Sequence, residues 1–86
     1  MTINFMTDFL EDIKELIVKQ FAIPAQNIDE DSHLEKDLGI TDLEMEDFIT
    51  TIENKYEIKI PQDKIPPFKK VSDIVSFLYE NVDISS

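Results

Sequence analysis

The sequence contains no cysteine and no tryptophan, and it has one glycine and one histidine in 86 residues. The absence of cysteine excludes disulfide bonds, thiolate zinc sites and a cysteine nucleophile. A chain of this length therefore depends on hydrophobic packing for its stability, and it is near the lower size at which one core folds unaided. We expect a single domain over residues 1–86.

Basic residues are also scarce, since the chain has no arginine and eight lysines against nineteen acids, for a net charge of −11. Residues 27–54 hold ten of the acids and one base, Lys36. Binding to nucleic acid is disfavoured, because phosphate neutralisation needs clustered lysine or arginine. The natural partners of such a chain are basic surfaces on other proteins.

Long hydrophobic runs are absent. No stretch reaches the roughly 18 apolar residues that a membrane span needs, and residues 1–10 lack the basic and apolar regions of a signal peptide. We therefore expect no membrane span, and we expect a monomeric, cytoplasmic protein.

Catalytic and metal-binding patterns are weak. Ser32 and His33 are adjacent in sequence, and side chains of adjacent residues rarely face each other as a nucleophile and its base must. A calcium loop that began at Asp29 would place Leu34 where an EF-hand has glycine. We expect no catalytic residue and no metal site, and we interpret Asp31 and Ser32 as turn residues and His33 as a surface side chain.

Apolar residues recur at helical spacing in three segments. The first stripe is Met6, Phe9, Leu10, Ile13, Leu16 and Ile17. The second is Met45, Phe48, Ile49, Ile52 and Tyr56, and the third is Val71, Ile74, Val75, Leu78 and Val82. Pro24 ends the first helix near Ala22, and Thr41 or Asp42 can cap the second.

The segments between the helices complete an all-α prediction. A long polar loop runs from Pro24 to about Ile40, and Gly39, the only glycine, suits a turn with positive φ. Pro66 and Pro67 limit the segment before the last helix to a short element. The sequence predicts a bundle of three main helices plus a short third element, with a long loop between the first two helices.

Residues 31–43 read D-S-H-L-E-K-D-L-G-I-T-D-L. This segment resembles the acyl and peptidyl carrier protein family, whose pattern is D-S-x-(F/L)-x-x-D-L-G-x-D-S-L. The I-K-I-P of residues 58–61 and the V-S-D-I of residues 71–74 also resemble family segments at matching spacing. The resemblance covers essentially the whole chain, and it implies the same helical bundle.

In that family the serine three residues after the glycine carries 4′-phosphopantetheine through a phosphodiester. The resemblance places Asp42 at this position, and a carboxylate does not form that linkage. Thr41 replaces the aspartate that precedes the family serine, so a hydroxyl exists one residue early. A shift of one residue rotates the attachment point by about 100° around the helix start.

The family's partner-docking surface is better retained. Leu43 matches the leucine after the family serine, and Glu44, Asp47 and Glu53 match acids of the second helix. Glu46 stands where the family usually has an apolar residue, and Met45 takes the apolar role one residue earlier. The expected docking residues are Leu43, Glu44, Met45, Glu46, Asp47 and Glu53.

The leading hypothesis is a carrier homologue that docks fatty-acid, polyketide or peptide synthase-type enzymes through basic patches on synthases and transferases, without a covalent arm or other cofactor. The alternative is a working carrier that is modified at Thr41 or binds acyl ligands noncovalently. In a third hypothesis the acidic surface imitates nucleic acid toward a basic protein.

Overall fold

The computed structural model describes residues 8–61 and 68–82. They form three α-helices, α1 (Phe9–Phe21), α2 (Asp42–Tyr56) and α3 (Val71–Asn81), with a short 3-10 helix at Ala25–Asn27. The described residues contain no β-strand and one isolated antiparallel bridge, between His33 and Lys70. The predicted all-α fold is confirmed. Met6, Pro66 and Pro67, which entered the prediction, lie outside the described residues.

The helix ends follow from local hydrogen bonding. Asp8 caps α1, because its side chain accepts a hydrogen bond from the N–H of Glu11 (3.2 Å). The helix ends at Ala22, which has a left-handed backbone conformation and whose N–H donates to the carbonyl of Val18. The predicted end of this helix is therefore confirmed.

One core joins the three helices, the long loop and the segment after α2. Its fully or nearly fully buried apolar residues are Phe9, Ile13, Ile17, Ile28, Leu34, Ile40, Phe48, Ile52, Ile60, Val71, Ile74 and Leu78. Phe9 of α1 makes edge-to-face ring contacts with Tyr56 of α2 (5.5 Å between centroids) and Tyr79 of α3 (4.7 Å). This single side chain therefore links all three helices.

Ser32 fastens the long loop to the beginning of α3. Its hydroxyl accepts a hydrogen bond from the N–H of Asp29 (3.0 Å), and its carbonyl accepts one from Val71 (3.1 Å). The N–H of Leu34 donates to the carbonyl of Lys69 (2.8 Å), and Ser72 donates to the carbonyl of Glu30 (2.9 Å). The first donors of α3 are thus satisfied by loop carbonyls, and the loop is held in one place.

The left-handed conformation of Ala22 gives a stability prediction. This residue has φ of 58°, a region that glycine enters without the steric cost of a Cβ. We expect Ala22→Gly to raise the free energy of unfolding by up to about 1 kcal/mol, measured by urea denaturation. The matched change Ala25→Gly, at a residue outside the left-handed region, should instead leave stability unchanged or reduce it. Equal effects of the two substitutions would contradict a steric cost at Ala22.

Tyr56 makes the stability of the bundle depend on pH in the alkaline range. Its hydroxyl donates to a carboxylate oxygen of Asp12 (3.1 Å), which ties α2 to α1. Burial raises the pKa of the Tyr56 phenol above its usual value, and the charge and hydrogen bond of Asp12 raise it further. The native state therefore keeps this proton at pH values where the unfolded chain loses it.

The resulting stabilisation is present below the unfolded pKa of about 10 and is lost as pH rises through the higher folded value. We expect the free energy of unfolding to fall above about pH 10 in the wild type and to fall less steeply in Tyr56→Phe, which keeps the ring contact with Phe9. At neutral pH the variant should lose about 1 kcal/mol. Identical pH profiles from denaturation series would contradict this role.

Candidate functional site at the start of α2

The turn before α2 depends on Gly39. This residue has φ of 73°, and its N–H donates to the carbonyl of Glu35 (2.9 Å). A Cβ added there would meet no atom within 4 Å, so the backbone angle rather than space favours glycine. The predicted turn with positive φ is confirmed. The next residue, Ile40, is buried in the core and fixes the position at which α2 begins.

Thr41, rather than Asp42, caps α2. The Thr41 hydroxyl accepts a hydrogen bond from the N–H of Glu44 (3.2 Å). In return, the Glu44 carboxylate accepts hydrogen bonds from the N–H of Thr41 (2.9 Å) and from its hydroxyl (3.2 Å). This is a capping box, and it engages the Thr41 hydroxyl both as a donor and as an acceptor.

Asp42 is the first residue of α2, and its side chain is exposed. Within the described part of the chain, no hydrogen bond or ion pair occupies its carboxylate, which lies at the positive end of the helix dipole. Asp42 borders a cleft of about 300 Å³. The cleft is lined by His33, Leu34, Glu35, Lys36, Ile40, Asp42, Met45, Phe68 and Lys69.

This cleft combines an apolar floor with charged walls. Leu34 and Ile40 are buried beneath it, while Met45 and Phe68 are half-buried. His33, which is half-buried, lines the cleft together with the cations Lys36 and Lys69, on the side of the long loop and the segment before α3. The N–H of Leu34 bonded to the carbonyl of Lys69 joins these two walls. Lys36 and Lys69 therefore line the same cleft as Asp42 although they are distant in sequence, and Glu35 lines it as well.

Leu43 and the next acids project from the first turns of α2. Leu43 is 73% exposed, which is unusual for a large apolar side chain. Glu46 and Asp47 are exposed, whereas Met45 is half-buried and packs against the core. An apolar side chain flanked by solvated carboxylates can contact a partner that combines a small apolar recess with basic side chains.

Glu53, one of the expected docking residues, does not project freely into solvent. Its side chain is half-buried, and its carboxylate accepts a hydrogen bond from the backbone N–H of Ile60 (2.7 Å). This contact ties the last turns of α2 to the extended segment that follows. The physical reason is that Glu57, which caps the C-terminal end of α2, has a left-handed conformation that turns the chain back toward the helix.

Few of the charges in the described part of the chain are paired with an opposite charge. Among residues 8–61 and 68–82, the ion pair present joins Lys14 to Glu11 at 3.8 Å, on α1. Within these residues no ion pair joins an acid of α2 to a lysine. The described residues contain no cluster of three or more ligating side chains suited to a metal ion. None of the helices described is both long enough and apolar enough to cross a membrane.

A family model described as "Phosphopantetheine attachment site" matches residues 11–78, which is most of the chain. The chain belongs to the acyl carrier protein family. An acyl carrier protein of Sulfurovum sp. is 33% identical over 72 residues, which cover 84% of this chain and 95% of that relative. An acyl carrier protein of Wolinella succinogenes is 30% identical over 71 residues, covering 83% and 93%. One from Campylobacter jejuni is 31% identical over 68 residues, covering 79% and 88%.

The acyl carrier resemblance pointed to α2, and the structure adds two features. No local sequence pattern predicted the basic side of the cleft, because Lys36 and Lys69 are brought to it by backbone pairing between the loop and the α3 segment. The structural role of Glu53 had a weak signal, since an acid one turn before a helix end can reach the N–H groups of the returning chain.

Proposed function

We propose that this member of the acyl carrier protein family binds the basic surfaces of synthases and transferases through the start of α2, without a phosphopantetheine arm. The observation that carries the proposal is Asp42, an exposed carboxylate at the first residue of α2 and three residues after the glycine turn. Family members hold the serine there that accepts the arm.

The chemistry of a carboxylate supports the absence of the arm. A serine hydroxyl forms a phosphodiester that is stable in water. The same attack by the Asp42 carboxylate would form a mixed carboxylic–phosphoric anhydride, which water hydrolyses. Position 42 is therefore unsuited to hold the arm, and the proposed protein works without a cofactor.

The capping geometry counts against the Thr41 alternative. Its hydroxyl hydrogen bonds to Glu44 both as donor and acceptor. Esterification would remove the donor and place a phosphate beside the Glu44 carboxylate, with the loss of up to about 1 kcal/mol of cap stabilisation and added charge repulsion. The arm would also leave the helix in a different direction from a group on residue 42.

The proposed docking surface consists of Asp42, Leu43, Glu46 and Asp47. All four are exposed, and the three acids have no internal ion partner within the described residues. Glu44 supports this surface through the capping box, and Met45 supports it by packing against the core. Glu53 is assigned instead to holding the segment after α2. The chain acts as a monomer in this proposal, which leaves the surface free for a partner.

Charge neutralisation tests the docking proposal. We expect Glu46→Gln combined with Asp47→Asn to weaken binding to a basic-surfaced synthase or acyltransferase by roughly tenfold, measured by calorimetric titration. The charge-matched control Glu15→Gln with Glu80→Gln, which alters exposed acids of α1 and α3, should change affinity by less than about twofold.

Binding of the wild type should also weaken as salt rises from low to physiological concentration, because exposed charges are screened over about 8–10 Å there. Equal losses in the two double variants, or an affinity that salt does not change, would contradict docking through α2.

The cleft favours noncovalent binding of an acyl ligand as a second candidate function. Its volume of about 300 Å³ is at the lower end of small-molecule sites, and Met45 and Phe68 provide half-buried apolar walls. A rise in melting temperature on addition of a medium-chain fatty acid would support this candidate. If a Met45→Glu variant that still folds shows no such rise, the ligand lies in the cleft.

A further inference from the structure

We infer that this chain is a dead-end competitor of the enzyme that attaches phosphopantetheine to serine-bearing carriers. The inference rests on the proposed function, and it names one partner and the consequence of binding it. An enzyme of this kind must hold the start of α2 against its active site, because the acceptor lies there in family members. The residues around the start of α2 therefore determine whether the enzyme binds this chain.

The scaffold around the acceptor position is intact. Gly39 makes the turn, Thr41 and Glu44 form a complete capping box, and Leu43 is 73% exposed. The backbone therefore presents residue 42 as the first residue of a well-formed helix, with its side chain in solvent. A transferase that recognises a helix start, an exposed leucine and acids on α2 finds these three features here, whereas the acceptor hydroxyl is missing.

The missing hydroxyl stops the reaction at a defined step. In modification of serine, the hydroxyl oxygen attacks the pantetheine-bearing phosphorus of coenzyme A. The bond from that phosphorus to the bridging oxygen breaks, 3′,5′-ADP leaves with the electron pair, and the hydroxyl proton passes to a base. Asp42 has no hydroxyl proton to give and yields no phosphodiester.

The charges beside Asp42 favour retention of the complex. Transfer of a phosphoryl group from a pyrophosphate uses divalent cations, for which a carboxylate oxygen is a good ligand. Asp42 would present such an oxygen where the acceptor oxygen of serine normally lies. Lys36 and Lys69 line the same cleft. Their positive charges attract the phosphates of coenzyme A and so offset the repulsion between those phosphates and the Asp42 carboxylate.

A competition assay tests the inference. A phosphopantetheinyl transferase of broad carrier specificity is given coenzyme A, Mg²⁺ and the acyl carrier protein of Campylobacter jejuni, with increasing amounts of this chain. We expect the KM for the Campylobacter carrier to rise, by about twofold when the competitor equals its inhibition constant, with kcat unchanged. The product is followed by the intact mass of the Campylobacter carrier.

Three variants connect inhibition to the named residues. Leu43→Ala should weaken inhibition by loss of the apolar contact, and Asp42→Asn should weaken it by loss of the carboxylate. Asp42→Ser should change the chain from a competitor that stays unmodified into a second substrate that gains the arm. Glu15→Gln with Glu80→Gln, which changes exposed acids of α1 and α3 and none of α2, should inhibit as the wild type does.

The inference and the proposed function fail differently. Absence of inhibition at concentrations that saturate the synthase or acyltransferase would overturn the inference and leave docking in place. A fall in kcat without a rise in KM would also overturn it, because a competitor occupies the carrier site. Absence of both inhibition and salt-dependent binding to any synthase or transferase would overturn the proposed function itself.

Discussion

Replacing Asp42 by serine is expected to change this chain from one that gains no phosphopantetheine into one that is fully modified. The variant supplies a hydroxyl at an exposed helix start that the Gly39 turn and the Thr41 cap already position. Incubation with coenzyme A, Mg²⁺ and a transferase of broad carrier specificity should add the mass of one arm. The wild type treated in parallel should keep the mass of the bare polypeptide.

Asp47→Ser is the matched control, because it also places a serine at an exposed acidic position of α2, but more than one turn later. This variant should remain unmodified, since a transferase requires the acceptor at the helix start. Modification of Asp47→Ser, or an unmodified but folded Asp42→Ser, would contradict the assignment of residue 42 to the acceptor position.

Stability does not obscure this comparison. Asp42 lies in the first turn of α2, where a carboxylate interacts favourably with the helix dipole. Its replacement by serine should lower the free energy of unfolding by about 0.3–1 kcal/mol. A domain of this size has roughly 4–13 kcal/mol of stability, so the variant stays folded under assay conditions.

Phe9→Ala is expected to be the most destabilising of the substitutions considered. The phenyl ring is fully buried and contacts Tyr56 of α2 and Tyr79 of α3. Its removal leaves a cavity at the point where the three helices meet and should lower the free energy of unfolding by about 3–5 kcal/mol. Urea denaturation followed by far-ultraviolet circular dichroism measures this loss.

Leu10→Ala is the control for Phe9→Ala. The leucine neighbours Phe9 on α1 but is only half-buried, so its truncation should cost clearly less than that of Phe9. Equal losses for the two variants, or a loss below about 1 kcal/mol for Phe9→Ala, would contradict the placement of Phe9 at the centre of the bundle.

The helices were predictable because their determinants are local. Apolar spacing marks the buried faces of α1, α2 and α3, and Pro24 marks the end of the first helix two residues after its actual cap at Ala22. The sequence left open whether Thr41 or Asp42 caps α2. A capping box needs an acid three residues after the cap, and Glu44 satisfies this for Thr41.

The contacts that complete the site were less predictable, since they join distant segments through backbone atoms. The carbonyls of Glu30 and Ser32 bind the first N–H groups of α3, and the carbonyl of Lys69 binds Leu34. Backbone pairing of this kind leaves no side-chain pattern. For the same reason, the sequence alone did not predict that Lys36 and Lys69 line the cleft beside Asp42.

Glu53 shows how a surface pattern can mislead. Helical periodicity places it outside the apolar stripe of α2, and the family resemblance added it to the docking surface. The structure uses its carboxylate to bind the N–H of Ile60, which helical periodicity alone does not consider. Its neutralisation would therefore mix effects on stability with effects on docking, whereas Glu46 and Asp47 allow docking to be measured separately.

The intact mass of the protein purified from the cells that naturally make it tests the central claim most directly. Any transferase of those cells that modifies carriers has access to the chain there. The proposal that Asp42 leaves this carrier homologue without an arm predicts the mass of the polypeptide alone, in every growth condition tested. A species heavier by one phosphopantetheine, localised by peptide mapping to any residue of the chain, would contradict it.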